Sequence, residues 1–335
     1  MRITRPTFVW QYSFLMLLLA APALAEEKAS EDKTAALRAD LEKRFGEKVD
    51  VRLDQPYAGT SNRFQMLDLY LPKQRVDEKP VPVVVFIHGG GWSGGDRRGY
   101  SHQAATLAAS GKYAAVSVGY RLSAEAKWPQ QIFDCKAAIR WIRGHAKELN
   151  LDADKIGATG ASAGGHLVTL LGVTGGVKQL EGEIGEYTSQ SSRVTCVVNV
   201  CGPTDMASPL MQGEAAKNDD PAVSGLLGGK VSEKLELAKA ASPLTYVTSD
   251  AAPIMTIHGT KDMRVNFTNA EKLDAALKQA GAVSLLIPVV NAGHGIPFGP
   301  ELNQRVQAFW DLYLRGVQSE ISTSPIEVPL VESKK

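Results

Sequence analysis

The hydrophobic and polar positions along the chain follow two different periods. From about residue 48, short continuous apolar runs alternate with longer stretches in which apolar residues recur at helical spacing. Residues 81–88 (VPVVVFIH) and 114–120 (AAVSVGY) are typical of buried parallel strands, whereas 48–54 and 64–71 alternate apolar and polar residues, as half-exposed antiparallel edge strands do. This order predicts an α/β fold with a mostly parallel, eight-stranded sheet covered by helices on both faces.

The remaining elements complete one domain, expected to span 48–316. Further strands are predicted just before Gly160 and at 194–201, 254–259 and 284–290, and helices at 102–110, 129–149, 163–172, 267–280 and 301–315. A loop-rich insertion at 206–245 predicts a small cap over the domain. The flanking segments are a short amphipathic helix within 26–47 and a polar tail, 317–335, which we expect to be loosely attached.

The first 25 residues have the composition of a signal peptide. Arg2 and Arg5 precede the apolar run FLMLLLAA, and Ala23-Leu24-Ala25 supplies the small residues that signal peptidases recognise. The apolar run is shorter than the roughly 20 residues that span a bilayer. Cleavage and export to the periplasm or the medium are therefore expected, without stable membrane insertion.

Composition adds few constraints. The 335 residues carry a formal charge of +1, so nothing favours nucleic acid as a partner. An odd number of cysteines leaves at least one thiol unpaired in a monomer. Cys135 shares an apolar helical stripe, and Cys196 and Cys201 are expected on opposite faces of one strand, so all three are interpreted as structural.

The pattern G-x-S-x-G occurs twice, around Ser162 and around Ser93. In α/β-hydrolases this pattern forms a tight strand-to-helix turn that exposes the serine hydroxyl above the sheet. Ser162 follows a short apolar strand and precedes a helix-like stretch, whereas Ser93 precedes the polar loop GGDRRG. The sequence therefore favours Ser162 as a nucleophile.

Glycines after the strand at 81–87 could bind a developing oxyanion. His88-Gly89-Gly90-Gly91 follows this strand directly. Glycine lets backbone N–H groups point at a substrate oxygen, and one such donor stabilises the transition state by about 3 kcal/mol. The amides of Gly90, Gly91 and Ala163 are the predicted oxyanion hole.

The acid and the base should follow the nucleophile in the order Asp, then His. Asp262 and His294 each lie just beyond a predicted strand, and Asp205 is a second candidate for the acid. Asp262 is favoured because it precedes His294 by one crossover unit. The other histidines are interpreted as structural or surface residues, and neither a metal nor another cofactor is expected.

Four motifs, HGGGW, GASAGG, HGTKD and AGHG, occur in this order. With them the chain resembles the α/β-hydrolases of the hormone-sensitive-lipase-like group, and within it the bacterial feruloyl esterase and acetyl-xylan esterase-like branch. The resemblance covers about 48–316 and includes the stretches GYRLSAEAKWP, LLGG and ASPLTYV. It implies a triad of Ser162, Asp262 and His294 with the oxyanion hole named above. One departure is Ala161, where many lipase-like members have an acidic residue.

The resemblance implies a serine esterase that acts on short-chain or aromatic acyl esters, with a small-molecule or polysaccharide-linked ester as substrate. Trp92 and Trp128 are candidates for lining the acyl or sugar site, with a core or rim position as the alternative. Two other functions stay open: a peptidase resembling the prolyl oligopeptidase catalytic domain, and a catalytically silent binding protein on the same fold.

Overall fold

The computed structural model describes residues 32–210 and 219–328, and the chain divides into two compact units between Glu47 and Lys48. In the first unit, helix α1 spans 32–45, and its positions Leu37 and Leu41 are less exposed than their neighbours. The spacing of four residues places them on one helical face. The expected signal peptide, 1–25, lies outside the described residues.

Among the described residues of the second unit, nine strands form one sheet in the order β1-β2-β4-β3-β5-β6-β7-β8-β9. The strands are β1 (Val49–Pro56), β2 (Met66–Pro72), β3 (Val81–Ile87), β4 (Ala114–Val118), β5 (Leu151–Ala161), β6 (Cys196–Val200), β7 (Ile254–Gly259), β8 (Ser284–Val290) and β9 (Ile326–Glu327). The helices are α2 (Ser101–Ala108), α3 (Gln130–Gly144), α4 (Ala146–Leu149), α5 (Ala163–Val173), α6 (Pro221–Leu227), α7 (Leu235–Ala240), α8 (Thr268–Gln279) and α9 (Pro300–Arg315).

The pairing of the strands confirms the predicted fold class. Only the β1–β2 and β2–β4 pairs are antiparallel, and the other pairs between described strands are parallel. β3 lies between β4 and β5, so the chain order reverses direction across the sheet at β3. In open parallel sheets, ligands bind beyond the carboxyl ends of the strands at such a reversal. The turns after β3 and β5 are therefore the expected position of a site.

The sheet has one strand more than the eight predicted, and this strand comes from the tail. Ile326 and Glu327 pair in parallel with Val289 and Val290 of β8. Arg305 of α9 also donates a hydrogen bond to the carbonyl oxygen of Ser324 at 2.6 Å. The tail is thus tied to the domain as far as residue 328. A strand of two residues is too short to show an alternating pattern, so the sequence did not reveal it.

The apolar–polar alternation of β2 does not reflect exposure. β2 is an interior strand, and nearly all of it is buried, including Asp68. Arg97 donates to Asp68 Oδ1 at 3.0 Å, and the backbone amide of Asp54 donates to the same oxygen at 2.8 Å. A buried carboxylate is stable in such a strand because a cation and an amide pair with it. The expectation of a half-exposed edge strand holds for β1 only.

The insertion at 206–245 folds onto the rest of its unit in its described part. It contains α6 and α7, and the side chains of Val223, Leu226 and Leu227 are buried in the main hydrophobic core. Leu235 is the one large apolar side chain that is exposed among the described residues of this segment. Apart from Leu235, the large apolar side chains of the described part of the insertion are therefore buried or partly buried.

The three cysteines are free thiols, and all are buried. Within 32–210 and 219–328, no helix combines the length and apolar character that crossing a membrane requires.

Candidate active site

Ser162 stands at the sharp turn between β5 and α5. Its backbone adopts φ 56° and ψ −121°, a conformation that costs a non-glycine residue about 1–3 kcal/mol. Its amide donates to the carbonyl oxygen of Val200 at 2.9 Å, which fixes the turn against β6. At Gly164 a Cβ atom would lie 2.0 Å from the carbonyl oxygen of Ile87, so only glycine allows α5 to approach β3 this closely.

A continuous chain of hydrogen bonds joins Ser162, His294 and Asp262. His294 Nε2 lies 2.9 Å from Ser162 Oγ, and His294 Nδ1 lies 2.8 Å from Asp262 Oδ2. The chain is satisfied when the serine hydroxyl donates to Nε2 and Nδ1–H donates to the carboxylate. The three side chains are thus arranged as a nucleophile, a general base and an orienting acid.

The turn after β7 holds Asp262 as an anion. The amides of Arg264 and Val265 donate to Asp262 Oδ1 at 2.8 and 2.9 Å, and His258 Nε2 lies 3.2 Å from Oδ2. Burial alone would raise the pKa of Asp262, but hydrogen bonds from His258, His294 and the Val265 amide outweigh it and hold the pKa well below its usual value. The carboxylate therefore stays charged and can stabilise a protonated His294.

Cys201 adjoins the triad, which the sequence did not reveal. Its buried Sγ–H donates to the carbonyl oxygen of His294 at 3.3 Å. Burial and the nearby charge of Asp262 raise the pKa of the thiol to about 12, so it remains a protonated donor. The residue follows β6, and no local motif distinguishes it from a core cysteine.

Cys201, Asp262 and His294 also offer three potential metal-ligand atoms within 4.8 Å of one another. Metal binding would require a thiolate and would break the Asp262–His294 hydrogen bond. The high pKa of the Cys201 thiol opposes the loss of its proton and therefore opposes metal binding. The geometry fits three hydrogen-bonded side chains better than a metal centre.

The loop after β3 places two glycine amides beside Ser162. Gly90 and Gly91 have φ values of 113° and 59°, which favour glycine, and both line the same cavity as Ser162. Ala163 is the first residue of α5, so its amide has no acceptor within the helix. The three predicted oxyanion donors are therefore in the turns that flank the serine hydroxyl.

Ser93 and Asp205, the alternative candidates for the nucleophile and the acid, lie in other environments. Ser93 is exposed, and its Oγ donates to the carbonyl oxygen of Gly90 at 3.4 Å, without a basic partner among the described residues. Asp205 is bound by Lys272 at 2.7 Å and by the hydroxyl of Ser208. Burial opposes the charge of Asp205, but Lys272 and Ser208 lower its pKa below the usual value. The structure brings Asp262, and not Asp205, to His294.

The remaining buried histidines support the turns of the site. His88 stacks on Tyr120 and contacts the carbonyl oxygen of Gly89 through Nδ1 at 2.8 Å. His166 accepts a hydrogen bond from the Trp92 indole at 3.2 Å and contacts the carbonyl oxygen of Ala241 at 2.7 Å. Burial lowers the pKa of His166 to about 4, so it remains a neutral link between these groups.

A cavity of about 510 Å³ opens onto Ser162 and His294. The other side chains and backbone groups that line it are those of Gly90, Gly91, Trp92, Ser93, Pro203, Leu210, Asp220, Ala222, Arg264 and Val265. Of the two candidate tryptophans, Trp92 is among the described residues of this lining and Trp128 is not. Both side chains belong to the hydrophobic core, with 3% of Trp92 and 6% of Trp128 exposed, and both pack against His166.

Known proteins with similar sequences include esterases. The BD-FAE family model matches residues 67–277, more than half of the chain. Esterase LipC of Mycobacterium tuberculosis is 32% identical over 234 residues, which cover 69% of this chain and 57% of LipC. This chain therefore spans less than two thirds of the length of that curated relative.

Two solved structures are similar over about four fifths of this chain. A truncated form of a carbohydrate esterase from gut microbiota has a TM-score of 0.74 and 32% identity, covering 80% of this chain and 97% of the other. Thermogutta terrifontis esterase 2, phosphorylated by paraoxon, has a TM-score of 0.62 and 26% identity, covering 82% and 96%. The family match and the mostly parallel sheet agree with the resemblance seen in the motifs, and the chain belongs to the BD-FAE family of hormone-sensitive-lipase-like α/β-hydrolases.

Proposed function

We propose that this protein is a serine carboxylic-ester hydrolase that acts through an acyl-enzyme. The observation that carries the proposal is the hydrogen-bonded chain from Ser162 Oγ through His294 to Asp262. These hydrogen-bonded side chains lie at an open cavity, beside the glycine amides of the loop that follows β3. A nucleophile, a base and oxyanion donors at one position are the parts that acyl transfer requires.

The first half-reaction forms the acyl-enzyme. Ser162 Oγ attacks the ester carbonyl carbon while its proton passes to His294 Nε2, and the carbonyl oxygen becomes an anion. The amides of Gly90, Gly91 and Ala163 would stabilise that anion. The bond from carbon to the alcohol oxygen then breaks, and His294 gives its proton to the departing alcohol.

The second half-reaction repeats these steps with water. His294 takes a proton from water, the hydroxide oxygen bonds to the acyl carbon, and the bond to Ser162 Oγ breaks. The serine recovers its proton and the carboxylic acid leaves. In both halves Asp262 stabilises the protonated imidazole and holds its Nδ1–H in place.

The proposed substrates are short-chain or aromatic acyl esters of sugars, either as small molecules or on polysaccharides. The cavity of about 510 Å³ is within the usual size for small-ligand sites, and the described insertion adds little exposed apolar surface. The name of the gut-microbiota relative, a carbohydrate esterase, supports this class. We further propose export of the protein, on the basis of the first 25 residues.

Covalent labelling tests the nucleophile. Purified protein should hydrolyse p-nitrophenyl acetate, and Ser162→Ala should lower kcat by about 10⁴-fold or more. A fluorophosphonate should add one label per chain, and peptide mass spectrometry should place it on Ser162. Paraoxon phosphorylates the esterase 2 relative, which supports the choice of reagent.

Ser93→Ala is the matched control, because Ser93 has the same sequence pattern and lines the same cavity. It should be labelled and active like the unmodified protein. A label on Ser93, or full activity in Ser162→Ala, would refute the assignment of the nucleophile.

A further inference from the structure

Two side chains of opposite charge line the cavity that holds Ser162. Asp220 is 6% exposed, and Arg264 is exposed with 45% of its side-chain surface open. Arg264 Nη1 lies 3.4 Å from Asp220 Oδ2. Apart from His294, they are the titratable side chains among the described residues of this lining. The triad does not use either of them.

The two carboxylate oxygens of Asp220 have different roles. Oδ1 accepts hydrogen bonds from the amides of Ala222 at 2.8 Å and Val223 at 3.2 Å, and so caps the first turn of α6. Oδ2 is buried and accepts no hydrogen bond from any described residue. Its contact with Arg264 is an ion pair without hydrogen-bond geometry. Buried acceptors are normally satisfied, so this oxygen is suited to a donor from a ligand.

Arg264 is fixed to the triad through its backbone. Its amide donates to Asp262 Oδ1 at 2.8 Å, so the turn that holds the acid also positions the Cα atom of Arg264. The exposed guanidinium carries several N–H donors. The pair therefore offers an acceptor and donors side by side, in the cavity that His294 also lines.

Resting on the proposed ester hydrolysis, we propose that Asp220 and Arg264 form a subsite that binds the alcohol half of the substrate. Oδ2 of Asp220 accepts a hydrogen bond from one hydroxyl, and the guanidinium of Arg264 donates to the oxygen of a neighbouring hydroxyl. A pair of adjacent hydroxyls supplies this combination of donor and acceptor. Because the two charges cancel, the subsite favours neutral polyhydroxylated alcohols over carboxylated or cationic ones.

Selectivity between two acetyl esters tests the subsite. One probe is a methyl glycoside that carries a single acetyl group and an adjacent free hydroxyl, and the other is p-nitrophenyl acetate. The ratio of kcat/KM for the glycoside to kcat/KM for p-nitrophenyl acetate should fall by about 10- to 100-fold in Asp220→Asn. Asn keeps an oxygen that can cap α6, so the change acts mainly on Oδ2.

Arg264→Gln gives an independent measurement, because 45% of this side chain is exposed and its replacement leaves the core intact. It should lower the same ratio, mainly through KM for the glycoside, since a lost ground-state contact raises KM. The matched control is Asp219→Asn. Asp219 also binds a backbone amide, that of Ser232 at 3.2 Å, and it is outside the described lining of the cavity. Its ratio should stay unchanged.

The possible failures are distinguishable. Unmodified protein that hydrolyses neither ester would refute the proposed function together with the subsite. If the unmodified protein hydrolyses both esters and Asp220→Asn and Arg264→Gln keep its selectivity, the subsite alone is refuted. A fall in activity toward methyl ferulate with an unchanged glycoside ratio would assign the pair to the acyl half and would overturn the proposal.

Discussion

At the scale of single residues, neighbouring groups decide which aspartate can assist His294. Asp205 and Asp262 both follow strands at the same edge of the sheet. Lys272 neutralises Asp205 at 2.7 Å, whereas Asp262 is surrounded by backbone amides and two histidines. The carboxylate of Asp205 is paired with lysine and does not contact the base. The carboxylate of Asp262 contacts the imidazole of His294 and can therefore fix the tautomer of that imidazole.

Exchange of each aspartate for asparagine should separate these roles. Asp262→Asn should lower kcat by about 10⁴-fold, because an amide at this position favours the wrong tautomer of His294. Asp205→Asn should lower kcat by less than about tenfold, since it disturbs only the contacts with Lys272 and Ser208. Steady-state hydrolysis of p-nitrophenyl acetate measures both. A larger loss in Asp205→Asn would identify Asp205 as the acid.

Cys201 is expected to position the base through its hydrogen bond to the carbonyl oxygen of His294. Cys201→Ala removes this bond and should lower kcat about fivefold, the value of one hydrogen bond of about 1 kcal/mol. Cys201→Ser keeps a donor and should recover most of the loss. Cys196→Ala, a change at a buried cysteine within β6, is the control for lost packing. Equal kcat values for the Ala and Ser variants at Cys201 would exclude a positioning role.

At the scale of elements, the site depends on how closely α5 packs against β3. Gly164 lies in the first turn of α5, and the nearest atom to its hypothetical Cβ is the carbonyl oxygen of Ile87, the last residue of β3. The loop with Gly90 and Gly91 begins just after that residue. The elbow that carries Ser162 and the loop that carries the proposed oxyanion donors therefore pack against each other through close backbone contacts.

Gly164→Ala should disrupt both the elbow that carries Ser162 and the loop that carries Gly90 and Gly91. A Cβ atom 2.0 Å from a backbone oxygen forces the helix and the strand apart, and we expect the free energy of unfolding to fall by about 3 kcal/mol or more. The kcat for p-nitrophenyl acetate should fall as well, because the oxyanion donors move relative to Ser162. Urea denaturation and steady-state kinetics measure the two effects.

Gly99→Ala is the matched control for this change. A Cβ atom at Gly99 would meet nothing within 4 Å, and its φ does not lie in the range that favours glycine. Its free energy of unfolding should stay within about 0.5 kcal/mol of the unmodified protein. Similar stability of the Gly164 and Gly99 variants would show that the contact with Ile87 is not restrictive.

The elements also show which features the sequence could predict. The strands β3, β4 and β7 were predictable because strands buried on both faces have continuous apolar runs. β2 was misjudged because the partner of Asp68, Arg97, is distant in sequence. The role of Cys201 depends in the same way on a contact with residue 294. Motifs predict the local turns, whereas contacts between distant elements require the fold.

At the scale of the whole molecule, the described part of the insertion at 206–245 forms one wall of the cavity. This part contributes Leu210, Asp220 and Ala222 to the lining, and Leu235 is the one large apolar side chain exposed there. The walls of the cavity thus combine small apolar surfaces with one charged pair. Lipid-binding surfaces instead expose contiguous apolar patches of several hundred Å².

These walls predict a preference for short acyl chains. Acetyl to butyryl esters fit a cavity of about 510 Å³ beside Ser162, whereas a C12 to C16 chain would extend past it and would need further apolar surface to bury. Each additional buried CH₂ would contribute about 0.8 kcal/mol only where such surface exists. We therefore expect kcat/KM for p-nitrophenyl esters to be far higher at C2 to C4 than at C12 to C16. The rate with tributyrin should also show no increase when the substrate concentration passes its solubility limit. A kcat/KM that rises steadily from C4 to C12, or activation at the oil–water interface, would instead indicate an extended acyl groove and a lipase.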